Sequence, residues 1–412
     1  MFFNKHSNSK TKCGKKPKAA TYKYTQIVSK INTIHQKLYP RKKLCACFFS
    51  KILYYCRVTK NRNIHKNSYN RGEITMKKTI IAAVIIAAAI AGAFAILRKP
   101  DTPAQQTVFR FAGQSAPNSP ATKFMQDISK EIAEKTNNRV ILKVYPANQL
   151  GNYSVVTPEL MKGTIDFSCQ SIATDFDKRL EILYTNGYIS SYEDAKKTFA
   201  ADGWMTKQLD KCLNEAGIKM LGCYIEGFIG IASKKPLNDP LNPKVDKGVL
   251  TRIPNMLSFE LGAKAMGFRP VTIPYSDVYQ SMQTGVCDAA DGYPTYAAYT
   301  ILGDVMKYWY NTMYSVEYLG ILASEKAWQK ISPEDQKIIA EICAKHTAKG
   351  LEEAEANDKQ AMELMKKRGI QVFTYSKEEL KALHDANVAS WGELAKRGVD
   401  QKLMTEFIEH FK

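Results

Sequence analysis

Residues that enzymes commonly use for chemistry are scarce here. There are 6 histidines in 412 residues, and only His346, His384 and His410 lie beyond position 76. All three fall in stretches that read as C-terminal helices, where a solvated face is expected rather than a general base or a metal ligand. No H-E-x-x-H, G-x-S-x-G or G-x-x-x-x-G-K-[ST] pattern occurs, so zinc-peptidase, serine-hydrolase and phosphate-loop chemistry lack their reacting groups. Cysteine is equally unhelpful to a catalyst. Five of the nine follow Met76 (Cys169, Cys212, Cys223, Cys287, Cys343), without C-x-x-C or zinc spacing, and read as buried free thiols, with a Cys212–Cys223 pair left open. The paired acids Glu352-Glu353 and Glu378-Glu379 sit in amphipathic helices and read as surface. No catalytic residue, cofactor or metal site is expected.

Acidic residues are missing too, but only locally. The first 75 positions hold 18 of the 59 Lys+Arg and one of the 40 Asp+Glu, Glu73, which leaves 41 against 39 in the remainder. The formal charge of +19 therefore belongs to a leader. Such a basic, aperiodic stretch normally reads as a tail for nucleic acid or anionic lipid. The residues immediately after it argue otherwise. Met76-Lys77-Lys78, an uncharged run over residues 79–97, and the small-residue sites Ala91-Gly92-Ala93 and Ala93-Phe94-Ala95 are the ordered parts of an export signal. Arg71-Gly72-Glu73-Ile74-Thr75 can be encoded by a purine-rich run resembling a bacterial ribosome-binding site. Translation is therefore expected to begin at Met76, with no nucleic-acid partner and residues 1–75 outside the native protein. Residues 76–100 are either a cleaved signal peptide or an inner-membrane anchor through 79–97, since 18 apolar residues approach the length of a bilayer span. Both routes place the bulk in the periplasm.

The most informative stretch is residues 248–294. Val249 to Ile253 reads as a short strand stopped by Pro254, which puts Arg252 at a strand end. Asn255 is the expected cap of a helix carrying Leu257, Leu261, Ala265 and Met266, closed by Gly267. Residues 268–273 return as a strand, and Pro274-Tyr275-Ser276-Asp277 opens a second helix with Ser276 as cap. Repeated βα units predict a parallel sheet with ligands at the strand C-terminal ends. Elsewhere strands are expected over 107–113, 139–145, 165–168, 217–224 and 230–233. Helices are expected over 119–136, from Ser332-Pro333 to about Lys367, over 377–397 and over 400–411.

These residues carry a resemblance to the solute-binding proteins of tripartite ATP-independent periplasmic (TRAP) transporters, dicarboxylate-binding type. The matching positions are Arg252-Ile253-Pro254-Asn255, Gly267-Phe268-Arg269-Pro270, Tyr275-Ser276-Asp277-Val278-Tyr279 and Gln283-Thr284-Gly285-Val286-Cys287-Asp288, with Tyr145-Pro146-Ala147-Asn148-Gln149-Leu150-Gly151 upstream. The resemblance implies an α/β, two-lobed periplasmic binding protein fold with a hinge and a long C-terminal strut helix. Lobe I would comprise 107–226 plus 317–354, and lobe II 227–316 plus 355–412. It further implies a monomer that captures a small carboxylate by hinge closure and passes it to membrane subunits, the alternative being an exported two-lobed enzyme or sensor.

Arg252 is the expected carboxylate clamp, because a guanidinium fork matches a carboxylate through two parallel hydrogen bonds. Tyr275 and Asn255 are the adjoining candidate contacts. Asp291 and Tyr293 are further candidates where Asp288-Ala289-Ala290-Asp291-Gly292-Tyr293-Pro294 departs from the family's D-G-x-E-N-P. Gln114, Gln170 and Ser171 could reach the cleft from the other lobe, and Glu226 and Phe228 are candidates beside Gly227. Gly227-Phe228-Ile229 lacks the second arginine of sugar-acid binders, which points to a less polar acid than a dicarboxylate.

Overall fold

The computed structural model describes residues 106–412. The start at Met76, the basic leader and the run 79–97 lie outside the described residues. Ten strands are present among them: β1 (Thr107–Gly113), β2 (Val140–Tyr145), β3 (Phe167–Gln170), β4 (Ile218–Ser233), β5 (Leu250–Ile253), β6 (Arg269–Thr272), β7 (Ala289–Pro294), β8 (Tyr308–Asn311), β9 (Val316–Ser324) and β10 (Gln371–Thr374). Apart from short helical turns, the helices are α1 (Pro120–Lys135), α2 (Tyr153–Lys162), α3 (Tyr192–Thr198), α4 (Trp204–Glu215), α5 (Leu257–Ala265), α6 (Val278–Thr284), α7 (Glu325–Trp328), α8 (Pro333–Lys367), α9 (Lys377–Lys396) and α10 (Gln401–Phe411).

The sheet order is β2-β1-β3-β9-β4-β7-β5-β6, with β8 beside β4 and β10 beside β8. The expected parallel pairing holds for β1 with β2 and β3, and for β5 with β6 and β7. It fails at the join, where β9 and β4 run antiparallel to each other. The two apolar runs expected at 217–224 and 230–233 are one strand of 16 residues. Its first part pairs with β9 as far as Phe228, and its last residues pair with β7 and β8.

Glycines suggest a break there, and they bend β4 without ending it. The register slips at Gly222 and Gly227, whose φ angles of 153° and 139° are open to glycine and costly for other residues. At both places α8 supplies the missing partner. Thr347 accepts from the Cys223 N–H (3.1 Å) and Asp358 from the Phe228 N–H (3.1 Å). A Cβ on Gly227 would lie 2.5 Å from Asp358 Oδ1.

Helix α8 runs 35 residues, as the capping signal at Ser332-Pro333 and the apolar period required. At about 1.5 Å per residue it spans roughly 50 Å. Its first half buries Ile339, Ile342 and Cys343 with Phe109, Phe111 and Phe167. Its far end buries Met365 with Val278, Met282 and Trp309. The helix is a strut across both halves of the sheet. Asp335 in its first turn also pairs with Arg139 (2.6 Å).

Several local expectations need correction. His346 is buried, not solvated: its Nε2 lies 2.9 Å from Glu131 Oε2, and Phe124 packs edge-on against its ring. His410, by contrast, is exposed as expected, with one face of its ring stacked on Trp204 at 5.3 Å. Cys212 and Cys223 are both free thiols, on a helix and a strand respectively, so the open pairing is not made. Ser276 hydrogen-bonds Asp277 inside a 3-10 turn and does not cap α6.

Candidate functional site

Strand β5 delivers Arg252 to the sheet's interior, where it is fully buried. Two of its nitrogens are fixed by backbone: Nε donates to Ile273 O and Nη1 to Asp291 O, both at 2.9 Å. Nη2 has no hydrogen-bond partner. The rings of Tyr275 and Tyr293 stack on each other (4.9 Å) and flank the guanidinium at 6.0 and 5.5 Å. No carboxylate among the described residues forms an ion pair with it. A buried cation without its counter-charge is costly, so this geometry fits an anion supplied from outside.

A small cavity of about 20 Å³ lies beside Arg252, room for roughly one water, so a solute enters only when the walls part. Pro254, Met256, Phe259, Tyr275 and Gly292 complete the wall that carries the arginine. Facing them are Tyr153, Ser171, Tyr184 and Glu317. Glu317 is buried at the start of β9. Gln114 Nε2 (3.2 Å) and the Ser171 hydroxyl both donate to its Oε1. Burial raises its carboxyl to about 7, against the pull of those donors and of Arg252.

A tie crosses the two walls. Glu181, in the 3-10 turn Lys178–Tyr184, accepts from Leu257 N (3.1 Å) and Ser258 N (2.9 Å) at the start of α5. It also accepts from the Thr174 hydroxyl at 2.6 Å. Glu181 therefore fills the capping role expected of Asn255. Met256 occupies the N-cap position, and Asn255 is turned outward with Nδ2 3.4 Å from Asp175.

The other anticipated residues divide by depth. Arg252, Tyr275 and Ser171 line the cavity. Gln114 stands behind the wall: its Oε1 accepts from the Ser171 N–H (2.9 Å), which turns Nε2 toward Glu317. Asp291 contributes its backbone carbonyl, while its carboxyl, raised to about 7 by burial, accepts from the Gly292 N–H. Tyr293 supports Tyr275 from beneath. Gln170 donates to Gly151 O (3.2 Å). Phe228 packs edge-on to Tyr192 at 4.9 Å. Glu226, pushed up to about 8 by burial, accepts from the Ser115 hydroxyl at 2.7 Å. None of these last five side chains lines the cavity.

Glu317, Glu181, Tyr153, Tyr184, Met256 and Phe259 were not anticipated. For both acids a signal existed. Each is a lone carboxylate inside a run buried at nearly every position, VEYLGILAS and RLEILY, and a buried charge needs a reason. Elsewhere, a wider groove between α3, α4, β4 and α8 is lined mainly by apolar and solvent-facing side chains and holds no buried charge. Among the described residues, no cluster of His, Cys, Asp or Glu is arranged to hold a metal, and no helix is long and apolar enough to cross a membrane.

Two α/β halves joined by long crossing strands, with an unpartnered buried cation at an enclosed cleft between them, define the class of two-lobed solute-binding proteins. The chain belongs to the bacterial extracellular solute-binding proteins, family 7, which it matches over residues 111–397. It is 27% identical over 328 residues to the C4-dicarboxylate-binding periplasmic protein DctP of Rhodobacter capsulatus, covering 76% of this chain and 94% of that one. A TRAP periplasmic solute-binding protein from a Sulfitobacter species, solved with β-D-galacturonate, superposes with TM-score 0.66 and 23% identity over 74% of this chain and 99% of that one. Another, from Desulfovibrio salexigens with orotic acid, gives TM-score 0.65 and 21% identity over 74% and 98%. The resemblance to TRAP solute-binding proteins and the two-lobed fold with its long helix both hold. Members of the family are extracytoplasmic transport proteins, not enzymes, and work with membrane subunits.

Proposed function

We propose that this chain captures a small monocarboxylic acid in the periplasm, as a monomer, and delivers it to the membrane subunits of a TRAP-type transporter. The observation that carries the reading is Arg252: buried, anchored by two backbone carbonyls, and left with Nη2 unpartnered at a cavity wall. The named ligands of the relatives are acids, a C4-dicarboxylate, a galacturonate and orotic acid. Here the wall offers one cation, which favours one carboxylate over two.

Capture proceeds by hinge closure between lobe I (107–226 plus 317–354) and lobe II (227–316 plus 355–412). The change of partners along β4 at Phe228/Ile229 supports the first boundary. Helix α10 packs back on Tyr188 and Trp204, and in the proposal it bridges the lobes. The acid docks on Arg252, the opposite wall closes through Glu181, and exclusion of water strengthens the charge pair. Asn255, Gln170, Phe228, Glu226, Asp291 and Tyr293 act as supports for the cleft.

The test is native mass spectrometry of protein from its own host, followed by calorimetric titration of the co-purified acid into the ligand-free protein. Binding of a carboxylic acid that depends on Arg252 is expected. Co-purification of a neutral or cationic solute that binds equally well without Arg252 would refute the reading.

A further inference from the structure

We infer that Glu317 is a second recognition pole, and that the solute is an α-amino or imino acid: one carboxylate for Arg252 and one protonated amine for Glu317. The inference rests on the carboxylate-capture reading above and names the solute within it.

The two charged groups face one cavity without pairing with each other, since no Arg252–Glu317 contact falls within the 4.0 Å of an ion pair. Each is held from behind. Backbone carbonyls hold the guanidinium. A network of fixed direction holds the carboxylate: the Ser171 N–H donates to Gln114 Oε1, so the amide nitrogen of Gln114 is left to donate to Glu317 Oε1. The Ser171 hydroxyl donates to the same oxygen. Both donors favour an ionised acceptor. Oε2 makes no hydrogen bond among the described residues and remains for a donor arriving in the cavity.

Charge balance then selects the solute. An acid with no amine neutralises Arg252 and brings no positive charge to Glu317, which must then stay an uncompensated buried anion or take up a proton. A dicarboxylate sets its second charge against Glu317 directly. A hydroxyl can donate to Oε2 but brings no positive charge. An ammonium satisfies both demands, and the zwitterion is neutral overall, as is the Arg252–Glu317 pair. Tyr153, Tyr184, Phe259 and Met256 line the same cavity, and would flank an apolar side chain once hinge opening has made room for the solute.

The full chain is titrated by calorimetry at neutral pH with sets matched in carbon skeleton. Each set holds an α-amino acid with its 2-hydroxy and 2-oxo counterparts, from alanine-sized to phenylalanine-sized, together with proline against tetrahydrofuran-2-carboxylate. In whichever skeleton binds, the amine is expected to bind roughly tenfold to a hundredfold tighter, the worth of a hydrogen bond between charged groups. Glu317→Gln, of equal volume, is expected to close most of that gap. If the variant does not fold, the preference of the unmodified protein decides alone. Nitrogen-free acids binding as tightly as their amines, or binding where no amine does, would overturn this inference and leave carboxylate capture intact. Failure of every carboxylate to bind would overturn both.

Discussion

The two walls of the cleft each bury one charge, and they secure it differently. Arg252 is fixed by main-chain carbonyls of its own βα neighbourhood, Ile273 and Asp291. Glu317 is fixed by side chains far away in sequence, Gln114 at a separation of 203 residues and Ser171 at 146. A charge tied to local backbone is positioned as soon as the strand, proline turn and helix form. A charge tied to distant side chains depends on the whole assembly. The first wall is therefore expected to tolerate substitutions around it while failing when the charge itself goes, and the second to soften gradually.

The largest effect should come from the first wall. Removing one member of a buried ion pair costs about 3–5 kcal/mol, or roughly a hundredfold to several thousandfold in affinity. Arg252→Ala should lose nearly all binding by calorimetry. Arg252→Lys should recover only part, because an ammonium cannot reproduce the fork that makes two backbone contacts and still presents Nη2. Unchanged affinity in both variants would erase the distinction between the walls.

Next comes the tie between them. Glu181→Ala removes the acceptor for two backbone N–H groups at the start of α5. Roughly tenfold to a hundredfold weaker binding is expected, with a larger radius of gyration for the ligand-saturated protein in small-angle scattering. Full affinity with an unaltered scattering curve would mean that the tie does not hold the cleft shut.

A smaller and purely structural effect is expected where β4 crosses. Gly227→Ala forces a Cβ onto Asp358 at a φ of 139°. A loss of about 1–3 kcal/mol should appear as a melting temperature lower by several degrees. A variant as stable as the parent would show that the crossing is looser than its geometry implies.

The gentlest probe is pH. Burial raises Glu226 to about 8 and both Glu317 and Asp291 to about 7, above the range near 4 of an unfolded carboxylate. The folded chain therefore binds more protons than the unfolded one in between. The stability these groups contribute is full below about pH 4 and is lost as pH rises through about 7 to 8. Ligand-free protein should melt at a lower temperature at about pH 8.5 than at about pH 6, and Glu226→Gln should flatten that slope. A melting temperature that climbs over this interval would contradict the assignment.

The same contrast separates what is legible in the sequence from what is not. The strand carrying Arg252, the cap at Ser332, the apolar face of α8 and the terminal helices all depend on residues a few positions apart, and their boundaries agree closely with the structure. Asn255 misleads because the real acceptor for α5, Glu181, lies 76 residues upstream of Leu257, and no local pattern reveals a cap supplied across a cleft. The long β4 reads as two strands because Gly222 and Gly227 look like terminators, while Thr347 and Asp358, which let the strand continue, belong to a helix more than a hundred residues later. Gln114, Ser171 and Tyr275, candidates for the cleft, stand at or directly behind its wall. Glu317 escapes notice even though a lone acid in a nine-residue apolar strand marks a buried charge.

The central claim is that Arg252 holds the solute's carboxylate inside the closed cleft. A crystal structure of the protein with its co-purified acid tests it most directly. The account predicts a carboxylate oxygen within hydrogen-bonding distance of Arg252 Nη2, enclosed by Tyr275, Phe259 and Tyr184. An acid bound elsewhere on the protein, with Nη2 satisfied by another protein group, would contradict it.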